Sequence, residues 1–147
     1  MTSRNFSQFM GVLFLAVGLL GFIPELRSGS FIGPTGTLAF KEGYGLLLGL
    51  FPVNLLHDLV HLAVGLFGLS SAKSMSRSRQ FARGLTWFYG ALAVMGLFPV
   101  FSTAFGLMPL YGHDIWLHAG TAVLANYFGY GQRAELIESV ERYRRAA

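Results

Sequence analysis

Cysteine is absent from this chain, which excludes disulfides, thiolate metal sites and thiol nucleophiles. Charge is scarce as well. Asp, Glu, Lys and Arg make up 12% of the 147 residues, against about 25% in an ordinary soluble domain. Apolar side chains make up 53%, and mean hydropathy is +0.52. A chain so poor in charge, with long apolar runs, reads as a membrane protein of one domain. Hydrolase signatures are also missing: neither G-x-S-x-G nor H-E-x-x-H occurs. The 4 histidines are fewer than a di-iron membrane hydroxylase site needs. The reading leans away from an enzyme. Net charge is +4, but the basic residues flank apolar runs and form no nucleic-acid module.

Four segments approach the roughly 20 apolar residues of a spanning helix: residues 6–23, 52–70, 81–98 and 114–131. Pro52 and Asn54 suit a helix start, as first-turn proline and cap. Pro24 and Pro99 suit helix stops. The first span has only Arg4 before it and no small-x-small cleavage site after it, so it reads as a retained span rather than a signal peptide. The expected fold is all-α: an integral membrane four-helix bundle over residues 1–147, with a cytoplasmic amphipathic tail at 132–147. In that tail Leu136, Val140 and Tyr143 share a stripe, and Glu138–Arg142 and Glu141–Arg145 have i,i+4 spacing. The connection at 24–51 stays open, because residues 43–51 suit either an interfacial segment or the start of span two. Gly33-Pro-Thr-Gly36 reads as a turn, and Ser70, Ser71, Ser74 and Ser78 as a solvated connection.

Basic residues set the orientation. Lys73, Arg77 and Arg79 lie between spans two and three, with Arg83 just inside the third, whereas residues 100–112 carry no Lys or Arg. The positive-inside rule then places both termini on the cytoplasmic side. Lys73, Arg77, Arg79 and Arg83 are expected to meet anionic headgroups, with the lipid bilayer as partner. Trp87 and Trp116 suit the inner and outer interfacial belts.

Two polar patterns interrupt the apolar text: Asn54-Leu-Leu-His57-Asp58-Leu-Val-His61 and His113-Asp114-Ile-Trp-Leu-His118. Both open spans that start on the outer side, so both sit at the same depth. At about 100° per residue, Asn54, His57, Asp58, His61, Gly65 and Gly68 share one stripe of span two. Asp114, His118, Thr121, Ala125 and Gly129 share one of span four. Small and polar side chains avoid lipid by facing protein, so these stripes are expected inside the bundle. Ser7, Gly11 and Gly18 in span one, and Ala82, Thr86, Gly90 and Ala93 in span three, read as packing faces.

Ionisable groups inside a membrane are site candidates by default, and three roles suit them. The first is a polar network ordering the bundle, with Asn54, Asp58, Asp114 and Thr121 partnering the imidazoles and His113 beside them. The second is a cofactor site. His57 and His61 have the i,i+4 spacing of helical metal ligands, His118 is a third ligand, and Asp58, Asp114 or His113 a fourth or an orienting group. Its occupant is a divalent metal, a haem held by His57 or His61 with His118, or the magnesium of a chlorophyll. The third is proton chemistry, for which the span offers few polar steps beyond Thr121.

The string Leu50-Phe-Pro-Val-Asn-Leu-Leu-His-Asp-Leu-Val-His61, with Asp114-Ile-Trp-Leu-His118 later, resembles a family of small bacterial membrane proteins found in cyanobacteria and actinobacteria. The resemblance covers most of the chain. It implies four spans and a cytoplasmic or thylakoid membrane, and brings no activity with it. Ile115 and Asp58 stand where many members carry Asn. The functional expectation is a small non-enzymatic accessory or scaffold subunit, with a larger membrane complex as candidate partner. The alternative is a haem- or metal-binding protein using His57, His61 and His118 for electron transfer or metal handling.

Overall fold

Each long helix begins where a short polar side chain or a glycine allows it. Thr2 opens α1 (Ser3–Gly21), its hydroxyl accepting from the Asn5 amide at 3.2 Å. Asn54 opens α2 (Leu55–Ser71), and Ser74 opens α3 (Met75–Leu97) by accepting from the Arg77 amide at 3.2 Å. Gly112, at φ +67°, turns the chain into α4 (His113–Asn126). A π-helical turn, Tyr127–Gly131, continues α4. This computed structural model describes residues 1–29, 38–131, 140 and 143–145. The expected tail helix and the 33–36 turn lie largely or wholly outside those residues.

The chain is mostly helical, as expected, but not wholly so. Part of the 24–51 connection forms a small antiparallel sheet of β1 (Arg27–Ser28), β2 (Gly45–Leu47) and β3 (Phe51–Val53), in that order. Arg27 pairs with Leu47, and Leu47 with Phe51. Pro52 therefore belongs to a strand and not to the first turn of span two. It lies in β3, at the sheet's edge, where a residue without an amide proton is tolerated. Span three also starts earlier than residue 81. Ser74 is a cap, Arg77 and Arg79 lie inside α3, and the Ser78 hydroxyl donates to the Ser71 carbonyl at 3.0 Å within the protein. Ser71 and Ser78 are thus buried where α2 meets α3 rather than solvated, whereas Ser70 is exposed as expected.

The helices run up and down as two hairpins, α1 against α2 and α3 against α4. The α1–α2 crossing rests on glycines. A methyl added at Gly65 would lie 2.7 Å from the Leu15 amide nitrogen, and one at Gly11 2.7 Å from that of Leu69. Between the hairpins, Phe6, Phe14, Phe81, Leu85, Tyr89 and Phe128 form one buried core. Ser3 and Ser7 tie α1 to the Phe128 and Gly68 carbonyls at 2.9 and 2.8 Å. Arg4 caps the end of α2 by donating to the Ala72 carbonyl. These contacts define one end of the bundle. The sheet and the first turns of α2 and α4 define the other.

Among the described residues, α1 is the one helix both long and apolar enough to cross a membrane; α2 is apolar but shorter.

Candidate functional site

The buried face of α2 comprises Asn54, His57, Asp58, His61, Gly65 and Gly68. On α4 and its extension Asp114, His118, Ala125 and Gly129 are buried and Thr121 is half-buried. The two stripes meet near the sheet end. The His57 ring lies 4.6 Å from that of His61 and 6.1 Å from that of His118, centroid to centroid. Phe14 stacks on His61 at 5.6 Å, and Tyr89 meets His118 edge-on at 5.1 Å.

Three of these residues converge as ligands do. His57, Asp114 and His118 each offer one donor atom, and the three atoms lie within 4.8 Å of one another. All three residues are at least 97% buried. Asp114 and His118 are one helical turn apart, with Oδ2 and Nδ1 separated by 3.5 Å, yet no hydrogen bond joins them. The Nδ1 atoms of His57, His61 and His118 are all buried without a hydrogen-bond partner. Buried polar atoms are normally paired; His118 Nδ1 and Asp114 Oδ2 face each other at 3.5 Å, the His57 ring has the Pro52 backbone as a hydrogen-bond partner, and the Nδ1 atoms of His57 and His61 have none. His61 adjoins this trio without completing it.

The other expected members go elsewhere. Asn54 does not touch an imidazole. Its Oδ1 accepts from the His57 backbone amide at 2.9 Å, and its Nδ2 donates to the Phe40 and Leu107 carbonyls at 2.9 and 2.7 Å. It ties three chain segments together just below the site. Asp58, one residue and about 100° round the helix from His57, faces α1. Its carboxylate packs on the backbone of Gly21, beside Arg27 and Glu42. Asp58 is thus outside the trio, and Arg27, from the connection between α1 and α2, is its electrostatic neighbour. Arg27 in turn donates to the Gly43 carbonyl. His113 is exposed, its ring edge-on to Phe51 at 6.3 Å. Thr121 lines a cavity beside the cluster. Sequence reasoning also missed Tyr89 and Phe14, whose only signal was an aromatic at a core-facing position.

At the sheet end, the Tyr44 and Tyr111 hydroxyls lie 2.7 Å apart and join the two connections. Burial, then the bond to Tyr44, pushes the Tyr111 hydroxyl well above the usual tyrosine range. At the opposite end Lys73 and Arg77 are exposed and Arg79 is half-buried. Arg83 is engaged within the protein. Its Nε donates to the Gly129 carbonyl at 2.9 Å, and its guanidinium lies 4.9 Å over the Tyr130 ring.

The chain matches the family described as a domain of unknown function, DUF4383, over residues 4–131, and belongs to it. No curated protein and no solved structure matches it.

Proposed function

We propose that this DUF4383 protein is a four-span membrane protein that holds a divalent transition-metal ion between His57, Asp114 and His118. The observation that carries the reading is the convergence of three buried, hydrogen-bond-deficient donors from two helices. Two imidazoles and one carboxylate suit zinc or a first-row neighbour, and leave coordination positions open. Bonds from zinc to such donors are about 2.0–2.2 Å, which small rotations of the three side chains would supply. A bare ion fits better than haem or chlorophyll. His61 and Tyr89 crowd the gap between His57 and His118, and the adjoining cavity is about 260 Å³, under the roughly 300 Å³ at which drug-sized pockets begin.

The membrane assignment is supported by what the helices turn outward. Phe9 and Leu19 on α1, Leu66 and Phe67 on α2, Trp87 and Leu97 on α3, and Trp116 and Val123 on α4 are all exposed. Apolar surface on every outer face is foreign to a water-soluble monomer. At 1.5 Å per residue the 19 residues of α1, the helix long and apolar enough to cross, reach roughly 29 Å, close to a hydrocarbon core of about 30 Å.

Two outcomes test this. Full-length protein purified in mild detergent and offered zinc retains about one ion per chain; His118→Ala retains none, and His113→Ala, altered at the exposed histidine, binds as the parent does. Equal retention in the parent and His118→Ala would remove the assignment. Reversing charge at Arg77 and Arg79 together weakens the cytoplasmic preference of that end in a reporter fusion, because these two carry half of the flanking positive charge formed with Lys73 and Arg83. An unchanged orientation would mean that other charges set it.

A further inference from the structure

The cavity beside the metal cluster has a composition of its own. Its walls are apolar: Leu13, Val17 and Leu20 from α1, Leu47 and Phe51 from the sheet, and Leu117 from α4. Its floor is polar, formed by His61, Asp114, His118 and Thr121 beside Tyr89 and Phe14. It lies between α1 and α4, from different hairpins, and its walls continue into exposed Leu13 and Leu117 on the outer surface. Two of the three metal donors face into it, while His57 stands behind.

We propose that this cavity binds a small lipid-soluble phenol or related single-ring alcohol, its hydroxyl directed at His61 and the metal cluster and its apolar body lying between α1 and α4. The inference rests on the metal reading for one of its two polar contacts. A hydroxyl suits the floor because it has both a lone pair and a proton. The oxygen can occupy a coordination position that the protein leaves open. The proton can be donated to the His61 ring, which lines the cavity and whose Nδ1 has no hydrogen-bond partner in the protein. A carbonyl would satisfy the cation and leave that acceptor bare, and a hydrocarbon would satisfy neither. The ring is argued from the floor's own side chains. Phe14 stacks on Tyr89 at 5.2 Å and on His61 at 5.6 Å, and all three rings line the cavity, an aromatic wall that another ring can meet. At about 260 Å³ the space takes one ring and a short chain.

The test uses the full chain in detergent, 4-hexylphenol as probe and cobalt(II) as the ion, because cobalt's visible bands report a change of ligand. Saturable binding by equilibrium dialysis is expected, at least tenfold tighter with cobalt than after chelation, with a shift of the cobalt bands. Thr121→Phe, which fills the floor, and Leu13→Trp, which narrows the opposite wall, should each weaken phenol binding at least tenfold while cobalt is retained. Unsaturable partitioning, or binding indifferent to both substitutions, overturns the proposal. Cobalt retained without phenol binding removes this inference alone. Saturable phenol binding with no ion retained removes the metal reading, and His61→Ala then decides whether the cavity still directs the hydroxyl: unchanged affinity overturns that too.

Discussion

Asn54→Ala destabilises the protein by about 3 kcal/mol, far more than the loss of an ordinary helix cap. The cap itself contributes about 1 kcal/mol, through Oδ1 and the His57 amide. The larger part comes from Nδ2, which satisfies two backbone carbonyls, Phe40 and Leu107, from segments remote in sequence. Asn54 is fully buried but the two bonds are only part-buried, so each acceptor left without a donor costs toward the low end of about 1–3 kcal/mol. Asn54→Asp separates the two effects. Aspartate caps a helix as well as asparagine does, but it has no amide donors and would set a carboxylate against two carbonyl oxygens. Equilibrium unfolding in mixed micelles should therefore find Asp at least as damaging as Ala. A mild Asp variant beside a damaging Ala variant would mean that the cap dominates and the two carbonyl bonds contribute little. Because the same side chain holds the first turn of α2 against both connections, either substitution should also weaken metal retention through His57.

Much of this was legible because helical periodicity and the cost of burying polar groups act locally. The stripe from Asn54 to Gly68 projects onto one face by counting alone, and that face is buried. Placing the starts of α2 and α4 at one end needed only the alternation of spans and connections. The errors have equally local causes. Residues 27–53 read as a loop or helix start because strands of two or three residues carry no detectable period, and a proline before a cap looks like a first turn. The start of α3 was hidden by its polar first turns, where Arg77 and Arg79 mask the apolar pattern. His113 was grouped with His118, although five residues put them about 140° apart on a helix, whereas Asp114 is one turn from His118 and shares its face. The same rule separates Asp58 from His57. The role of Arg27 was not legible at all, because only the sheet brings it to Asp58.

Gly65→Ala, a single added methyl, should cost about 2–3 kcal/mol, at the upper range for overpacking. The methyl would lie 2.7 Å from the Leu15 nitrogen and 2.9 Å from the Gly11 carbonyl oxygen. Both are backbone atoms of a helix, so no side chain can rotate away and the two helices must separate. Gly11→Ala meets the mirror situation, against the Leu69 nitrogen at 2.7 Å and the Gly65 oxygen at 3.0 Å. The double variant should cost less than the sum of the singles, because helices already parted for one methyl have room for the second. Gly84→Ala on α3 serves as the control, since a methyl there meets nothing within 4 Å and alanine favours the helix; it should be neutral or stabilising. Equal stability of the Gly65 and Gly84 variants would show that the crossing is looser than described. The consequence extends to the site. α1 carries Phe14, which lies on His61 and Tyr89, and α2 carries His57. Parting the helices lifts the aromatic floor from beneath the cavity while leaving Asp114 and His118, on α4, in place. Gly65→Ala should therefore weaken phenol binding more than metal retention. A destabilised variant with phenol affinity intact would mean that the cavity does not depend on the α1–α2 crossing.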